Sequence, residues 1–308
     1  MQLAPIILFV YNRPLHTALT LEALSKNELA GESVLYIYAD GAKENVTEDE
    51  LKKIRETREV IRKKKWCKEI HIIESDINKG LANSIINGVT QVIDKHGSII
   101  VLEDDLVVSP FFLSYMNGLL ALYEKDDAII SIHGYNYPIK MKYTDTTFLL
   151  KGADCWGWAT WKRGWDLFEQ DPKKLLDEIE AKKLSNEFDF FGSYPYTNML
   201  KTQQEGKLDS WAICWYASAF VKNKLTVYPG KSLVSNIGTD GSGTHFKSSS
   251  YNLKPGKVAG AFKITKLSSL IENRAVKEKI AEYFNGMKRK EFSVFQWVKK
   301  LYSRNQWH

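Results

Sequence analysis

A chain of 308 residues with 44% hydrophobic side chains can bury a substantial core, which excludes a disordered or fibrous protein and fits one large domain or two closely packed ones. The formal charge of +6 is spread out, with no long basic block in the first 280 residues, so it permits an anionic ligand or membrane surface but gives no footprint for nucleic acid. Cys67, Cys155 and Cys214 are odd in number and widely spaced, which argues against a disulfide framework and a zinc site, and no run of about 18 apolar residues is present to span a bilayer.

The first 130 residues alternate short apolar runs with amphipathic stretches, the pattern of βαβ units feeding a parallel sheet. Pro5 to Val10 is predicted as the first strand and Pro14 to about Leu24 as a helix. The apolar run from Leu3 to Val10 is too short for a signal peptide and has no basic start, so the chain reads as cytoplasmic. Ser33 to Ala39 is the second strand. Thr47-Glu48-Asp49-Glu50 has the spacing of a capping box and opens a charged helix to about Lys65, after which Glu69 to Glu74 is the third strand. Leu81, Ile85, Val89, Val92 and Ile93 recur at helical spacing, so Gly80 to Lys95 should pack one face on the sheet. Ser98 to Leu102 reads as a central strand buried on both faces, and it ends abruptly in Glu103-Asp104-Asp105. Ser109-Pro110 supplies an N-cap and a proline at the first helical position for a helix to about Lys125.

From about residue 132 loops, glycines and aromatics are expected to dominate, and six of the nine tryptophans fall between Trp156 and Trp215. Trp161 and Trp165, four apart, fit one face of a helix. The segment from about residue 269 reads as helical. Its end, Lys288 to Tyr302, mixes basic residues with Phe292, Phe295 and Trp297, which suits either peripheral docking on an anionic membrane or packing against the rest of the chain.

An acidic triplet is more often a solvated patch than a site, but this one ends an apparently central strand. Ligands of open parallel sheets bind beyond the carboxyl ends of the strands. Three clustered acids beside a buried strand repel one another, and a cation relieves that conflict most simply. Carboxylates suit Mn²⁺ or Mg²⁺, which typically bind through one or two protein carboxylates plus substrate phosphates, so a nucleotide diphosphate ligand is favoured. Neither Gly-x-x-x-x-Gly-Lys-Ser/Thr nor a Gly-x-Gly-x-x-Gly after the first strand is present, which removes the main support for ATPase and dinucleotide-dehydrogenase readings.

The succession Pro5-Ile-Ile-Leu-Phe-Val-Tyr-Asn-Arg-Pro14, Tyr38-Ala-Asp40-Gly41, Asn78-Lys79-Gly80-Leu81 and Ile99-Ile-Val-Leu-Glu-Asp-Asp-Leu106 resembles GT-A glycosyltransferases, and within them the group around N-acetylglucosaminyltransferase I and its bacterial relatives. The resemblance covers roughly residues 4 to 245. It implies the GT-A (nucleotide-diphospho-sugar transferase) fold, α/β with a mainly parallel central sheet flanked by helices. It further implies that Asn12 and Arg13 lie along the base and phosphates of the donor, that Asp40 hydrogen-bonds the uracil, and that Asn78 and Gly80 let backbone approach the nucleotide. Asp105 would bind the metal, Asp104 lie near the ribose and metal water, and Glu103 hydrogen-bond the donor sugar. Taken alone, Arg13 is a surface charge and Asp40-Gly41 an ordinary turn.

In the second half, Gly152-Ala-Asp-Cys-Trp156-Gly-Trp158-Ala-Thr-Trp161 suits a carbohydrate pocket, because indole faces stack on the apolar face of a pyranose; clustered tryptophans are as often core. Trp156, Trp158 and Trp211 are the candidates for an acceptor or sugar pocket. Asp209-Ser210-Trp211 is the candidate base segment, since family members carry an acid just before a tryptophan here. Ser210 stands where that adjacent acid would be, which leaves the base open between Asp209, Asp154 and Glu205, with helix capping as the other role for Asp209. Asn236 to His245 is a glycine-rich loop of the kind that closes over donors, and His245 could reach the metal or diphosphate.

The organisation expected is a nucleotide-sugar-binding half (1–130), an acceptor-binding and catalytic half of the same domain (131–260) and a basic, aromatic helical tail (261–308). The activity expected is metal-dependent transfer from a UDP-sugar to a hydroxyl of a glycan or lipid-linked acceptor, with inversion, in bacterial surface-polysaccharide assembly. A sugar nucleotidyltransferase and a non-catalytic carbohydrate-binding protein are the rivals. The first lacks its glycine- and arginine-rich loop after Val10, and the second leaves the acid triplet unexplained.

Overall fold

A computed structural model describes residues 2–141, 146–238, 260–261 and 263–287. Strands β1 (Ile6–Val10), β2 (Val34–Ala39), β3 (Glu69–Glu74) and β4 (Ser98–Glu103) form where the apolar runs predict them. They join β6 (Ile129–His133), β7 (Thr147–Lys151), β8 (Trp158–Trp161) and β9 (Leu225–Pro229) in an eight-stranded sheet of order β3-β2-β1-β4-β8-β6-β9-β7. Pairing is parallel through β3, β2, β1 and β4 and between β6 and β9, while β8 and β7 run against their neighbours. The fold is therefore α/β with a mainly parallel central sheet flanked by helices.

Period-two alternation sorts each strand between the two faces. Ile6, Leu8, Ile100 and Leu102 face a core filled by α1 (Pro14–Ser25) and α4 (Phe112–Leu122) through Leu21, Leu24, Leu113 and Met116. Ile7, Phe9, Ile99 and Val101 face the opposite core, where α3 (Leu81–His96) lays down Ile85, Val89, Val92 and Ile93, the stripe read from the sequence. α2 (Glu48–Arg62) starts at the expected capping box, both halves of which form at Thr47 and Glu50. A third cluster joins α6 (Pro172–Ala181) and α9 (Trp211–Val221) to Phe148 and Leu150 of β7 and to Val276, Ile280 and Phe284 of α10 (274–287).

Two expectations fail. After the acids the chain first forms β5 (Leu106–Val108), antiparallel to β10 (Val234–Asn236), and α4 begins at Phe112 rather than at Ser109-Pro110. Beyond residue 132 the loop-rich expectation gives way to three further strands of the main sheet, β7, β8 and β9, and to helices that include α5 (Lys162–Trp165). Trp161 ends β8 instead of sharing a helix face with Trp165. Bulky aromatics buried on both faces of β8 hide the alternation that marks a half-exposed strand. Among the described residues no helix is long and apolar enough to cross a membrane.

Candidate active site

The parallel strands β1, β2, β4, β6 and β9 point their carboxyl ends to one edge, where ligands of such sheets bind. Glu103 is the last residue of β4, paired with Phe9 of β1. The triplet backbone is fixed from two sides: Thr20 of α1 donates its hydroxyl to the Asp104 carbonyl at 2.8 Å, and Ile237 N donates to the Asp105 carbonyl at 2.9 Å. Asp104 is buried, and Glu103 and Asp105 are half-buried.

Arg13, on the turn between β1 and α1 next to half-buried Asn12, reaches into this cluster. Its Nε and Nη2 donate to Asp104, and Nη2 also donates to Asp105 at 2.9 Å. Its Nη1 is buried and finds no acceptor among the described residues. One guanidinium thus faces three acids. Burial, with repulsion from Asp105 and Asp104, pushes the Glu103 carboxyl up to about 8. Burial likewise pushes Asp104 up to about 6 against the pull of Arg13. For Arg13 burial acts in the lowering direction, but Asp104 and Asp105 outweigh it and hold the guanidinium charged. An unpartnered donor and surplus carboxylate charge lie side by side.

The loops after β2 and β3 are tied together next to this cluster. The Asp40 carboxylate accepts from the backbone N–H of Gly41 (2.9 Å), Lys79 (2.9 Å) and Gly80 (3.1 Å), and Asn78 Nδ2 donates to the Gly41 carbonyl at 2.8 Å. Asp40, Asn78 and Gly80 therefore do come together, but Asp40 already serves three backbone donors and organises the loops, where the resemblance implied a contact to the base. Gly41 has no room for a side chain, because a Cβ there would overlap the Ile77 backbone. Gly80 caps α3 at φ 78°, a left-handed value that favours glycine.

The tryptophans divide. Trp158 is fully buried, with its ring centroid 5.6 Å from those of Trp211 and Trp215 and 5.7 Å from that of Trp165. Trp211 is buried in the same cluster. Both are core residues that present no ring face to a sugar, which corrects their assignment to the pocket. Trp156 remains half-buried, edge-to-face with Tyr135 at 4.7 Å. The preceding residue lies near the triplet, since the Cys155 thiol is pushed up by burial and by the charges of Asp154, Glu103 and Asp105.

Asp209 is exposed, and the cap of α9 is Ser210, which makes no side-chain capping bond, so Asp209 does not cap that helix. α9 returns through a short turn into β9, which puts its N-terminus at the carboxyl edge of the sheet, and Trp211 fixes it there by stacking on Trp158. Glu205, another candidate base, is exposed and ion-paired with Lys207 at 2.8 Å. His245 lies outside the described residues, as does the 288–308 tail. Gly238, in the described first part of the glycine-rich loop, abuts the Asp105 carboxylate, with Arg13 Nη1 3.0 Å from where its Cβ would be.

Among the described residues no three His, Cys, Asp or Glu side chains converge as a metal cage. The surplus carboxylate charge fits a divalent cation whose other ligands come from a substrate, and does not fit one held by these side chains alone. Sequence reasoning missed Tyr11, whose hydroxyl is buried, and Tyr135. Tyr11 sits inside the motif Tyr-Asn-Arg-Pro, which was the available signal.

Fold and site together define an α/β protein with a cluster of charged side chains at the carboxyl edge of its sheet. No protein-family model and no curated protein matches the chain by sequence. Among solved structures it is similar to S. aureus TarS 1–349, at 9% identity and TM-score 0.46 over 77% of this chain and 61% of that one. It is also similar to the same fragment in complex with UDP-GlcNAc, at 10% identity and TM-score 0.42 over 76% and 58%. A third similarity is to glucosyl-3-phosphoglycerate synthase from Mycobacterium tuberculosis in complex with Mn²⁺, UDP and glucosyl-3-phosphoglycerate, at 9% identity and TM-score 0.34 over 68% and 82%. The chain thus spans about three fifths of the TarS fragment it matches.

Proposed function

We propose that this chain is a GT-A-type glycosyltransferase that moves a sugar from a UDP-sugar to a hydroxyl of a glycan or lipid-linked acceptor, with inversion. The observation that carries the proposal is the pairing, at one strand edge, of an orphaned arginine donor with more carboxylate than that arginine neutralises. Such a place calls for an anion and a cation together, and a metal-bound diphosphate is both.

In this reading residues 1–130 hold the donor. Asn12 and Arg13 follow its base and phosphates, Asp104 faces the ribose and Glu103 the sugar. Asp105 would hold Mn²⁺ or Mg²⁺ together with diphosphate oxygens, and His245 would reach it from the loop that leaves Gly238. When bound, the metal supplies charge neutralisation for the leaving diphosphate. Residues 131–260 carry the acceptor side. There Asp209 takes the proton from the acceptor hydroxyl as that oxygen bonds to the anomeric carbon and UDP departs. The end of the 261–308 tail, residues 288–308, would bring the enzyme to the cytoplasmic face of a membrane where a lipid-linked acceptor of surface-polysaccharide synthesis resides.

The test is incubation with a panel of UDP-sugars and Mn²⁺, with UDP release followed in the presence and absence of glycan acceptors. Release that needs both metal and the acid triplet supports the reading. Formation of UTP from UDP-sugar and pyrophosphate would identify a nucleotidyltransferase, and glycan binding with no nucleotide turnover a binding protein.

A further inference from the structure

Asp154, in the turn between β7 and β8, is a carboxylate without a lysine or arginine partner among the described residues. Its Oδ1 accepts from Cys155 N at 2.8 Å, and its Oδ2 accepts from the Tyr137 hydroxyl at 3.0 Å. The Tyr228 hydroxyl stands 3.5 Å from the same oxygen, and His133 Nδ1 is 3.9 Å away. An ionised carboxylate offers about four acceptor positions. The Cys155 thiol also bonds this carboxylate, so room remains for one further donor, and the side chain keeps a quarter of its surface exposed.

The surroundings indicate what would use that capacity. His133 is fully buried, and its Nε2 accepts from Trp156 N at 3.1 Å, which leaves the ring proton on Nδ1, on the Asp154 side. Burial lowers the His133 pKa and keeps the ring neutral. The histidine thereby fixes the backbone of Trp156 beside Asp154. The half-buried rings of Trp156 and Tyr135 meet edge-to-face at 4.7 Å, and Tyr137, whose hydroxyl holds Asp154, lies edge-on to Tyr135 at 5.5 Å. An aromatic wall beside an acceptor-only group is the chemistry a pyranose needs, because its C–H face packs on rings and its adjacent hydroxyls donate to a carboxylate.

We infer that Asp154, Trp156 and Tyr135 form a sugar-binding subsite in which Asp154 receives a ring hydroxyl of the acceptor, with Tyr137 as its positioning residue. The subsite takes from the transferase reading only that its occupant is the acceptor. Asp154 is here a binding group, distinct from the base.

The full chain is titrated with methyl glucopyranoside, methyl galactopyranoside and methyl N-acetylglucosaminide, followed by saturation-transfer NMR, with UDP affinity measured in parallel. The expected result is binding of at least one glycoside, weakened roughly 10- to 100-fold in Asp154→Asn, as loss of hydrogen bonds to a charged group implies. A smaller loss is expected in Tyr137→Phe, which keeps the ring and serves if Asp154→Asn does not fold. UDP affinity should be unchanged in both variants, a separation that general loosening of the fold would not give. Glycosides that ignore wild-type protein, or that bind Asp154→Asn and Tyr137→Phe as well as wild type, overturn the subsite. Glycoside binding that depends on Asp154 in a protein that never binds UDP would retain the subsite and remove the transferase reading.

Discussion

Replacing Arg13 by methionine removes the one arginine or lysine that, among the described residues, pairs with the acids of Glu103 to Asp105, while keeping much of the stem's packing. Breaking a buried pair by deleting one partner costs about 3–5 kcal/mol, because the other charge is left uncompensated. The Arg13 side chain keeps 17% of its surface and Asp105 15%, so the lower end applies, about 3 kcal/mol. At about 2 °C per kcal/mol for a chain of this size, the midpoint should fall by roughly 6 °C. The stranded acids can escape by taking up protons, and burial already drives them that way, so the loss should be largest near pH 8 and shrink toward pH 5. Thermal unfolding in EDTA at both pH values measures this, and Arg13→Met combined with Asp104→Asn should recover most of the loss at pH 8. A midpoint that ignores pH, or a double variant no better than the single one, would refute the claim that surplus carboxylate charge is what Arg13 restrains.

Asp209→Asn preserves shape, so donor affinity should persist while transfer falls by roughly 10² to 10⁴, the usual worth of a positioned base; a matching loss of donor affinity would assign it a binding role instead. Glu103 is held up to about 8 and Asp104 up to about 6, above the ordinary carboxylate value near 4 that applies when the chain is unfolded. Their contribution to stability is therefore full below about pH 4 and is lost as pH rises through 6 to 8. Metal-free midpoints should decline over that window, and Glu103→Gln should flatten the upper part; parallel slopes in the two proteins would contradict the assignment. His245→Ala should weaken donor binding or slow turnover with the fold intact, as circular dichroism and kinetics would show, and unchanged kinetics would return it to an ordinary loop residue.

What could be read in advance was what is encoded locally. The apolar runs of β1, β2 and β4, the Thr47–Glu50 capping box and the stripe of α3 each lie within one short window, and all appear in place. The acids at the end of a central strand were legible for the same reason. β5 was not, because three residues become a strand only through β10, which arrives from the far end of the chain. Trp156 and Trp158 look alike in sequence; that one is half-exposed beside Tyr135 and the other sealed among three tryptophans depends on which face of the sheet each meets. Asp154 could be named only as one of several acids, since Tyr137, Tyr228 and His133 reach it from separate segments.

The central claim is that the edge formed by Arg13 and Glu103 to Asp105 binds a metal-bridged nucleoside diphosphate. Calorimetric titration of UDP into the wild-type chain and into Asp105→Asn, each with Mn²⁺ and with EDTA, addresses it directly. The account predicts UDP binding that requires Mn²⁺ in the wild type and is weakened at least about 30-fold in Asp105→Asn, the lower bound for truncating a buried charge partner. Equal affinity with and without metal, or an Asp105→Asn variant that binds UDP as tightly as wild type, would contradict it.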